Sequence, residues 1–390
     1  MSDRAREDPP LLRVPAGSDL PEPMVLPRAV SSLGAAHRRL RVLMLSDHFV
    51  LPYRVMRCLA AAGAEVHVLG GPGSRGLRLS RFCASYEGLR GARVTDCERM
   101  RDDINGAIAA RAIDLVVAGD HTSMRPLIRL ETSLRAPCFP MPTLDQFDLL
   151  NNKARFTAFC EGLGVRCPRS ELVADRAALA RRLSAPDMRL PCVAKAIDMD
   201  GSRGLVVIRD AGDTAALEAI DYEPILLQEY VEGTDVVASV YCESGNVEAF
   251  VAHYIKRATY ATFASTEIEE TVGLIAQALG VTGLLNFDMR LRPDGAIFWL
   301  ECNPRFFYSM AYSMLAGIDF AAFGLPGRRC GLRRNLPAGT AVRTFKSILA
   351  TLPRPWRLTR RDWAYAGYIA ADPIVLLYEW LGLERLGRES

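Results

Sequence analysis

Two carboxylates and one amide lie close to residue 300, on segments that a short turn joins. Asp288 and Glu301 lie on two apolar runs connected by the turn signal Pro293-Asp294-Gly295, and Asn303 follows two residues later. A hairpin would bring these three oxygen donors to one point. Hard oxygen ligands are what Mg²⁺ prefers. We therefore expect a Mg²⁺ site, and the apolar neighbour Trp299 argues against the alternative of a solvated face.

Two lysines upstream have the charge needed to neutralise a polyphosphate. Lys153 opens a predicted helix, and Lys195 ends an apolar strand. Either lysine alone is more typical of a solvated surface. A strand predicted to be buried, however, rarely carries a lysine without a partner. Lys195 is therefore a candidate for binding phosphate.

A glycine turn follows Lys195, with the sequence Gly201-Ser202-Arg203-Gly204. Glycines let backbone N–H groups approach phosphate oxygens, and Ser202 adds a hydroxyl donor. By itself the turn indicates an ordinary hairpin loop. Its closeness to Lys195 favours phosphate binding.

A second apolar strand ends in polar residues near position 230. Its edge could present the Gln228 amide and the Val231 backbone to an adenine, and Asp235 could accept hydrogen bonds from ribose hydroxyls. On this segment alone, a strand followed by a turn is the simpler interpretation.

The elements that must position these residues fall into two regions. In the first, short apolar strands alternate with helical segments, which predicts an open parallel α/β domain. The second alternates strands with turns and one helix, which predicts a mostly antiparallel α+β region. The expected strands are 41–46, 65–69, 113–118, 191–195, 205–208, 225–230, 236–241, 247–253, 284–291 and 296–301. The expected helices include 53–62, 104–112, 152–163 and 266–279.

The sequence resembles the ATP-grasp superfamily, in particular its carboxylate–amine ligases, over about residues 40–325. The positions that carry the resemblance are Lys153, Lys195, Gly201 to Gly204, Gln228 to Val231, Asp235, Asp288, Glu301, Asn303 and Arg305. It implies an open parallel α/β domain and then a two-lobed ATP-grasp domain, and about the last 65 residues have a pattern that predicts a helical C-terminal extension. The expected boundaries are a flexible lead-in at 1–38, the α/β domain at 39–145, lobes at 146–224 and 225–325, and the extension at 326–390.

The resemblance also implies a role for each position. The residues expected at the ATP phosphates are Lys153, Lys195 and the loop residues Gly201, Ser202 and Gly204. Those expected at the nucleoside are Gln228, Glu229, Tyr230, Val231 and, for the ribose, Asp235. Those expected to hold two Mg²⁺ ions, with Mn²⁺ as a substitute, are Asp288, Glu301 and Asn303. Arg305 would face the reacting carboxylate, so Arg305 and Lys195 are the expected catalytic residues.

The reaction implied is the ATP-dependent joining of a small carboxylate to an amine. Transfer of the γ-phosphoryl group gives an acyl phosphate, which the amine attacks, so ADP and phosphate are released. The alternatives are an ATP-grasp phosphotransferase, a thioester-forming ligase and a non-catalytic nucleotide-binding regulatory module. A dinucleotide-dependent oxidoreductase is disfavoured, because the glycine run 70–76 follows the second strand and contains Pro72.

Composition excludes other classes of function. The 390 residues carry a formal net charge of +3, too small to indicate nucleic-acid binding. The ten cysteines form no CxxC unit, and the N-terminus has prolines and charges where a signal peptide is apolar, so we expect a cytoplasmic protein. The arginine- and tryptophan-rich C-terminal extension suits packing on the core, which we favour, or peripheral contact with an anionic membrane. The oligomeric state stays open.

Overall fold

The computed structural model describes residues 38–89, 97–199, 204–210, 212, 217–327, 331–373, 378 and 381. Except for Arg38, the predicted lead-in lies outside the described residues. The strands are β1 (Arg41–Ser46), β2 (Glu65–Gly70), β3 (Cys83–Gly88), β4 (Leu115–Ala118), β5 (Ser170–Val173), β6 (Cys192–Ala196), β7 (Leu205–Ile208), β8 (Ile225–Glu229), β9 (Thr234–Glu243), β10 (Asn246–Lys256), β11 (Thr259–Thr262), β12 (Gly283–Leu291), β13 (Ile297–Asn303) and β14 (Ala341–Arg343). The helices are α1 (Val50–Ala61), α2 (Cys97–Arg111), α3 (His121–Leu130), α4 (Leu144–Asn151), α5 (Lys153–Gly162), α6 (Arg176–Leu183), α7 (Thr266–Leu279), α8 (Met310–Ala316), α9 (Phe320–Phe323), α10 (Phe345–Thr351) and α11 (Arg360–Ala370).

The N-terminal sheet is parallel, with the order β3-β2-β1-β4. Alternate residues of β1 serve opposite faces: Val42 and Met44 join the core under α1, whereas Leu43 and Leu45 join the core with α2 and α3. Because both faces are covered, the four central residues of the strand are all apolar. The predicted open parallel α/β domain is confirmed. The pattern missed β3, whose sequence Cys-Ala-Ser-Tyr-Glu-Gly has no continuous apolar run.

Two antiparallel sheets follow, as the sequence predicts. The smaller has the order β5-β8-β6-β7, and the larger has the order β13-β12-β9-β10-β11-β14. The predicted turn between β12 and β13 is present: Gly295 has φ of 89°, and the Arg292 N–H donates to the Ala296 carbonyl at 2.9 Å. A β-bulge between Asp288 and Met289 adjusts the register of this hairpin.

The C-terminal extension is joined to both halves of the molecule. Strand β14 adds to the larger sheet beside β11. Helix α11 reaches the N-terminal domain, where the buried Arg57 guanidinium lies 3.7 Å from the ring centroid of Tyr368 and donates to its carbonyl at 2.5 Å. Part of the extension therefore packs on the core. Among the described residues, no helix is both long and apolar enough to cross a bilayer.

Candidate active site

A cavity of about 340 Å³ lies between the smaller antiparallel sheet and the larger one. Strands β6, β7 and β8 line one side, and β9, β12 and β13 line the other. It brings together most of the residues that the sequence singled out, namely Lys153, Lys195, Gln228, Glu229, Tyr230, Val231, Asp235, Asp288 and Glu301. Apolar side chains that include Val193, Leu205 and Met289 complete the walls.

Both predicted lysines are buried in this cavity. Lys153, 8% exposed, begins α5; its Nζ donates to the Met199 carbonyl at 2.6 Å and lies 3.3 Å from Glu301 Oε2. Lys195, 7% exposed, donates from Nζ to Gln228 Oε1 at 2.7 Å. Burial lowers the pKa of Lys195 to about 8, despite the opposing charge of Glu301. A ligand with negative charge would remove the cost of burying these ammonium groups.

The residue type at these two positions is unusual for this chain. Only four of its 48 basic residues are lysines, namely Lys153, Lys195, Lys256 and Lys346. Two of the four are therefore in one cavity. An ammonium group is a compact charge with rotatable donors and fits where a planar guanidinium would not.

The two carboxylates are cross-strand neighbours, as the hairpin predicted. Asp288 on β12 pairs with Glu301 on β13, and the Asn303 amide nitrogen donates to Asp288 Oδ2 at 3.1 Å and to Glu301 Oε1 at 3.4 Å. Burial and the charge of Glu301 raise the pKa of Asp288. Burial acts in the same direction on Glu301, but the ammonium groups of Lys153 and Lys195 outweigh it and lower its pKa. A divalent cation would relieve this repulsion, so the donor set fits Mg²⁺.

Asn303 and Arg305 do not line the first cavity. Arg305 is buried, and its Nη2 donates to Asn303 Oδ1 at 2.7 Å. The amide oxygen thus faces Arg305, while the amide nitrogen faces the carboxylates. For Oδ1 to ligate a cation, the Asn303 amide would have to flip, which exchanges the positions of its oxygen and nitrogen.

A second cavity of about 310 Å³ lies on the other side of the carboxylate pair. It shares Asp235, Val237, Asp288 and Glu301 with the first cavity. Its remaining lining residues are Arg54, His253, Ile255, Asn286, Asn303, Arg305, Phe307, Tyr308, Ser309 and Tyr312. The two cavities therefore meet at Asp288 and Glu301.

Two predicted nucleoside residues already have protein partners. Asp235, whose side chain is largely exposed, pairs with Arg290 across β9 and β12 at 3.2 Å. The carboxylate of Glu229 lies 3.7 Å from Arg169 Nε and accepts a hydrogen bond from the Arg169 N–H at 3.3 Å. A ribose at Asp235 would share that carboxylate with Arg290, which the sequence did not single out.

The predicted glycine loop is only partly described. Gly201 and Ser202 lie outside the described residues. Gly204 does not line either cavity; it has φ of 66°, and a Cβ there would lie 2.8 Å from the Tyr222 ring. The structure therefore gives Gly204 a conformational reason to be glycine.

Arg54 and His253 were not among the site residues expected from the sequence. Arg54, on α1, donates to the Tyr308 carbonyl at 2.5 Å and lies 5.8 Å from the Tyr312 ring centroid. Burial lowers the pKa of His253 to about 3, so its imidazole is neutral. Within the described part of the chain, His253 Nδ1 finds no hydrogen-bond partner. No local signal marks Arg54, because 254 residues separate it from its partner.

Comparison with known proteins identifies the fold. Residues 221–341 match the family model described as "ATP-grasp in the biosynthetic pathway with Ter operon". The biotin carboxylase domain of 2-oxoglutarate carboxylase from Hydrogenobacter thermophilus, solved with MgADP, ADP and bicarbonate, is 16% identical with a TM-score of 0.56 over 76% of this chain and 71% of that one. Over residues 221–341 the chain is similar to the ATP-grasp family, and its fold is similar to that of this carboxylase domain.

Other proteins to which the chain is similar are ligases or synthases by name. L-amino acid ligase from Bacillus licheniformis is 15% identical, with a TM-score of 0.56 over 75% of each chain. The carbamoyl phosphate synthase large chain of Deinococcus radiodurans is 30% identical over 176 residues, which are 40% of this chain. The match spans only 17% of the length of that curated relative.

Proposed function

We propose that this protein is an ATP-dependent ligase that joins a carboxylate to an amine through an acyl phosphate and releases ADP and phosphate. The observation that carries the proposal is that two cavities meet at Asp288 and Glu301, one with the two buried lysines and the other with the buried Arg305. Phosphoryl transfer between two substrates needs this arrangement, because donor and acceptor must approach one charge-stabilised point. The names of the similar ligases support it.

At the nucleotide end, the chain supplies charge and a binding wall. Lys153 and Lys195 would neutralise the phosphates, and their burial strengthens the attraction by lowering the local dielectric. The Gln228 to Val231 segment and the apolar walls would hold the adenine. Displacement of Gln228 Oε1 from Lys195 would free the ammonium group for phosphate.

At the metal end, Asp288 and Glu301 would hold two Mg²⁺ ions, for which Mn²⁺ could substitute. Asn303 would also contribute a ligand once its amide group has turned. When bound, Mg²⁺ supplies charge neutralisation to the terminal phosphates of ATP. The carboxylates themselves keep the cation between the two cavities. Lys153, 3.3 Å from Glu301 Oε2, restrains that carboxylate.

At the acceptor end, Arg305 would orient the acid and stabilise charge that develops on its carboxylate during phosphoryl transfer. The neutral His253 imidazole lines the same cavity and would help to position the entering amine, whose proton would leave with the released phosphate. Exclusion of water by the buried walls would protect the acyl phosphate from hydrolysis.

The test is a screen of acids with ATP, Mg²⁺ and hydroxylamine. An acyl phosphate should be trapped as a hydroxamate, with one ADP formed for each hydroxamate. Formation of AMP would indicate adenylation and would contradict the proposal. A phosphorylated product that hydroxylamine does not trap would indicate a phosphotransferase, and MgATP binding without turnover for any acid would favour the regulatory module.

ATP affinity is expected to fall as pH rises through the pKa of Lys195, which is about 8. Phosphate binds the protonated ammonium, so loss of its proton weakens binding, by about tenfold between about pH 7 and pH 9. Calorimetric titration with MgADP at several pH values measures this. The Lys195→Met variant should bind weakly with a flatter pH dependence, and an affinity that rises with pH would refute the assignment.

Arg54→Gln is expected to raise KM for the acid about tenfold with little change in kcat, because Arg54 lines the second cavity beside Tyr308 and has no assigned role in phosphoryl transfer. Steady-state kinetics with an acid accepted in the hydroxamate screen measure both constants. Arg129→Gln, at an exposed position on α3, is the matched control. If only the KM for ATP rose, Arg54 would contact ATP and not the acid, and the prediction would be wrong.

A further inference from the structure

The described part of the C-terminal extension, residues 341–373, exposes a set of large apolar side chains. Phe345, Leu349 and Leu352 recur at intervals of four and three residues, which is helical spacing along one side of α10 and its end. Trp356 is 77% exposed, the highest value among the large apolar residues described, and Trp363 on α11 is 54% exposed. Apolar side chains clustered in one segment at such exposure mark a surface that another body covers.

The charges exposed on the same segment have one sign. Arg354, Arg357 and Arg360 are exposed beside the tryptophans. The acidic residues of 341–373 are Asp362 and Asp372, and both are buried. Asp362 pairs with Arg343, and Asp372 accepts a hydrogen bond from Ser80 Oγ at 2.5 Å. Among the described residues of 341–373, the arginines at positions 354 and 357 therefore give this surface a positive charge.

The other side of the segment is anchored to the core. Ile348 of α10 is buried, and the ring centroid of Tyr365 on α11 lies 5.4 Å from that of Tyr312. Tyr368 packs on Arg57 of the N-terminal domain. The exposed side chains are thus held on a packed framework, and binding through them would need little ordering of the backbone.

We infer that this surface binds an anionic lipid bilayer peripherally. Arginine attracts acidic headgroups, and tryptophan is enriched at the level where headgroups meet hydrocarbon. The aliphatic side chains distinguish a bilayer from another polyanion. Transfer of Leu349 and Leu352 into hydrocarbon is favourable, whereas single-stranded nucleic acid is held by arginine and by aromatic stacking. The inference does not depend on the proposed ligase activity.

The test is flotation of the full chain with vesicles of phosphatidylcholine, with or without phosphatidylglycerol. We expect binding only to the vesicles that contain phosphatidylglycerol, and weaker binding at high salt. The Trp356→Ser/Trp363→Ser pair should lower the partition coefficient at least tenfold, because two indole rings would no longer be buried in the bilayer. The Arg354→Gln/Arg357→Gln pair should lower it about 25-fold.

Two control variants, one double and one single, remove charge or apolar surface at other exposed positions. Arg129→Gln/Arg135→Gln removes two charges from the N-terminal domain, and Leu274→Ser removes an exposed apolar side chain from α7. Both should bind vesicles like the unchanged protein. All variants should keep its melting temperature and MgADP affinity, because none of the substituted side chains lines either cavity.

Three results would overturn the inference. One is equal binding, or none, with neutral and anionic vesicles. Another is a concentration-dependent dimer that Trp356→Ser dissociates, since a second copy would then cover the surface. The third is that the arginine substitutions abolish binding to RNA but leave binding to vesicles unchanged.

Discussion

Glu301→Gln is expected to lower kcat by roughly a thousandfold or more. The amide keeps the shape of the side chain but removes one of the two charges that would hold Mg²⁺, and it also removes the partner of Lys153 Nζ at 3.3 Å. Binding of the acid should change little, because Arg54 and Arg305 remain. The measurement is ADP release and hydroxamate formation with an accepted acid, at saturating Mg²⁺ and ATP.

The matched control for this prediction lies in the same hairpin. Asp294→Asn removes a carboxylate from the turn between β12 and β13, where it pairs with Arg292 at 3.2 Å and lies outside both cavities. It should keep nearly full activity. If Glu301→Gln and Asp294→Asn had equal rates, the assignment of Glu301 to the metal would fail.

Lys195→Met is expected to weaken ATP binding about a hundredfold and to lower kcat as well, while the fold is retained. The methionine side chain fills a similar volume in a buried strand, but the charge that would face the phosphates is lost, and Gln228 Oε1 loses its donor at 2.7 Å. Calorimetric titration with MgADP gives the affinity. Thermal unfolding shows whether the variant is folded.

Lys256→Met is the control for the second prediction, since Lys256 ends β10 and lines neither cavity. It should bind MgADP like the unchanged protein. If Lys195→Met bound MgADP with undiminished affinity, the lysine would have only a structural role, and the phosphate site would have to be sought at Lys153 alone.

The sequence predicted those features of the fold that depend on neighbouring residues. The β12–β13 hairpin follows from a turn signal between two apolar runs, so the opposition of Asp288 and Glu301 was accessible from local pattern. The burial of Lys195 follows from the apolar residues before it. Strand β3 was missed because pairing with β2, and not its own polar sequence, makes it a strand.

The proposed roles of these residues remain predictions, but their proximity is now a structural fact. Lys153 and Glu301 are far apart along the chain, and their approach to 3.3 Å depends on how α5 packs beside β13. A resemblance in order and spacing could indicate this approach. It could not indicate that Asn303 turns its oxygen toward Arg305, which is set by a hydrogen bond.

By itself the sequence determined the class of fold, the hairpin with its two carboxylates and the candidate phosphate lysines, because each rests on local periodicity or on a motif. Only the tertiary structure decided which distant groups share a cavity, such as Arg54 with Tyr308 or Arg290 with Asp235, since contacts across helices and sheets leave no mark at short range. It also decided which aromatic residues of the extension are covered. Tyr368 packs on Arg57, whereas Trp356 is exposed. This difference depends on which side of each segment faces the core.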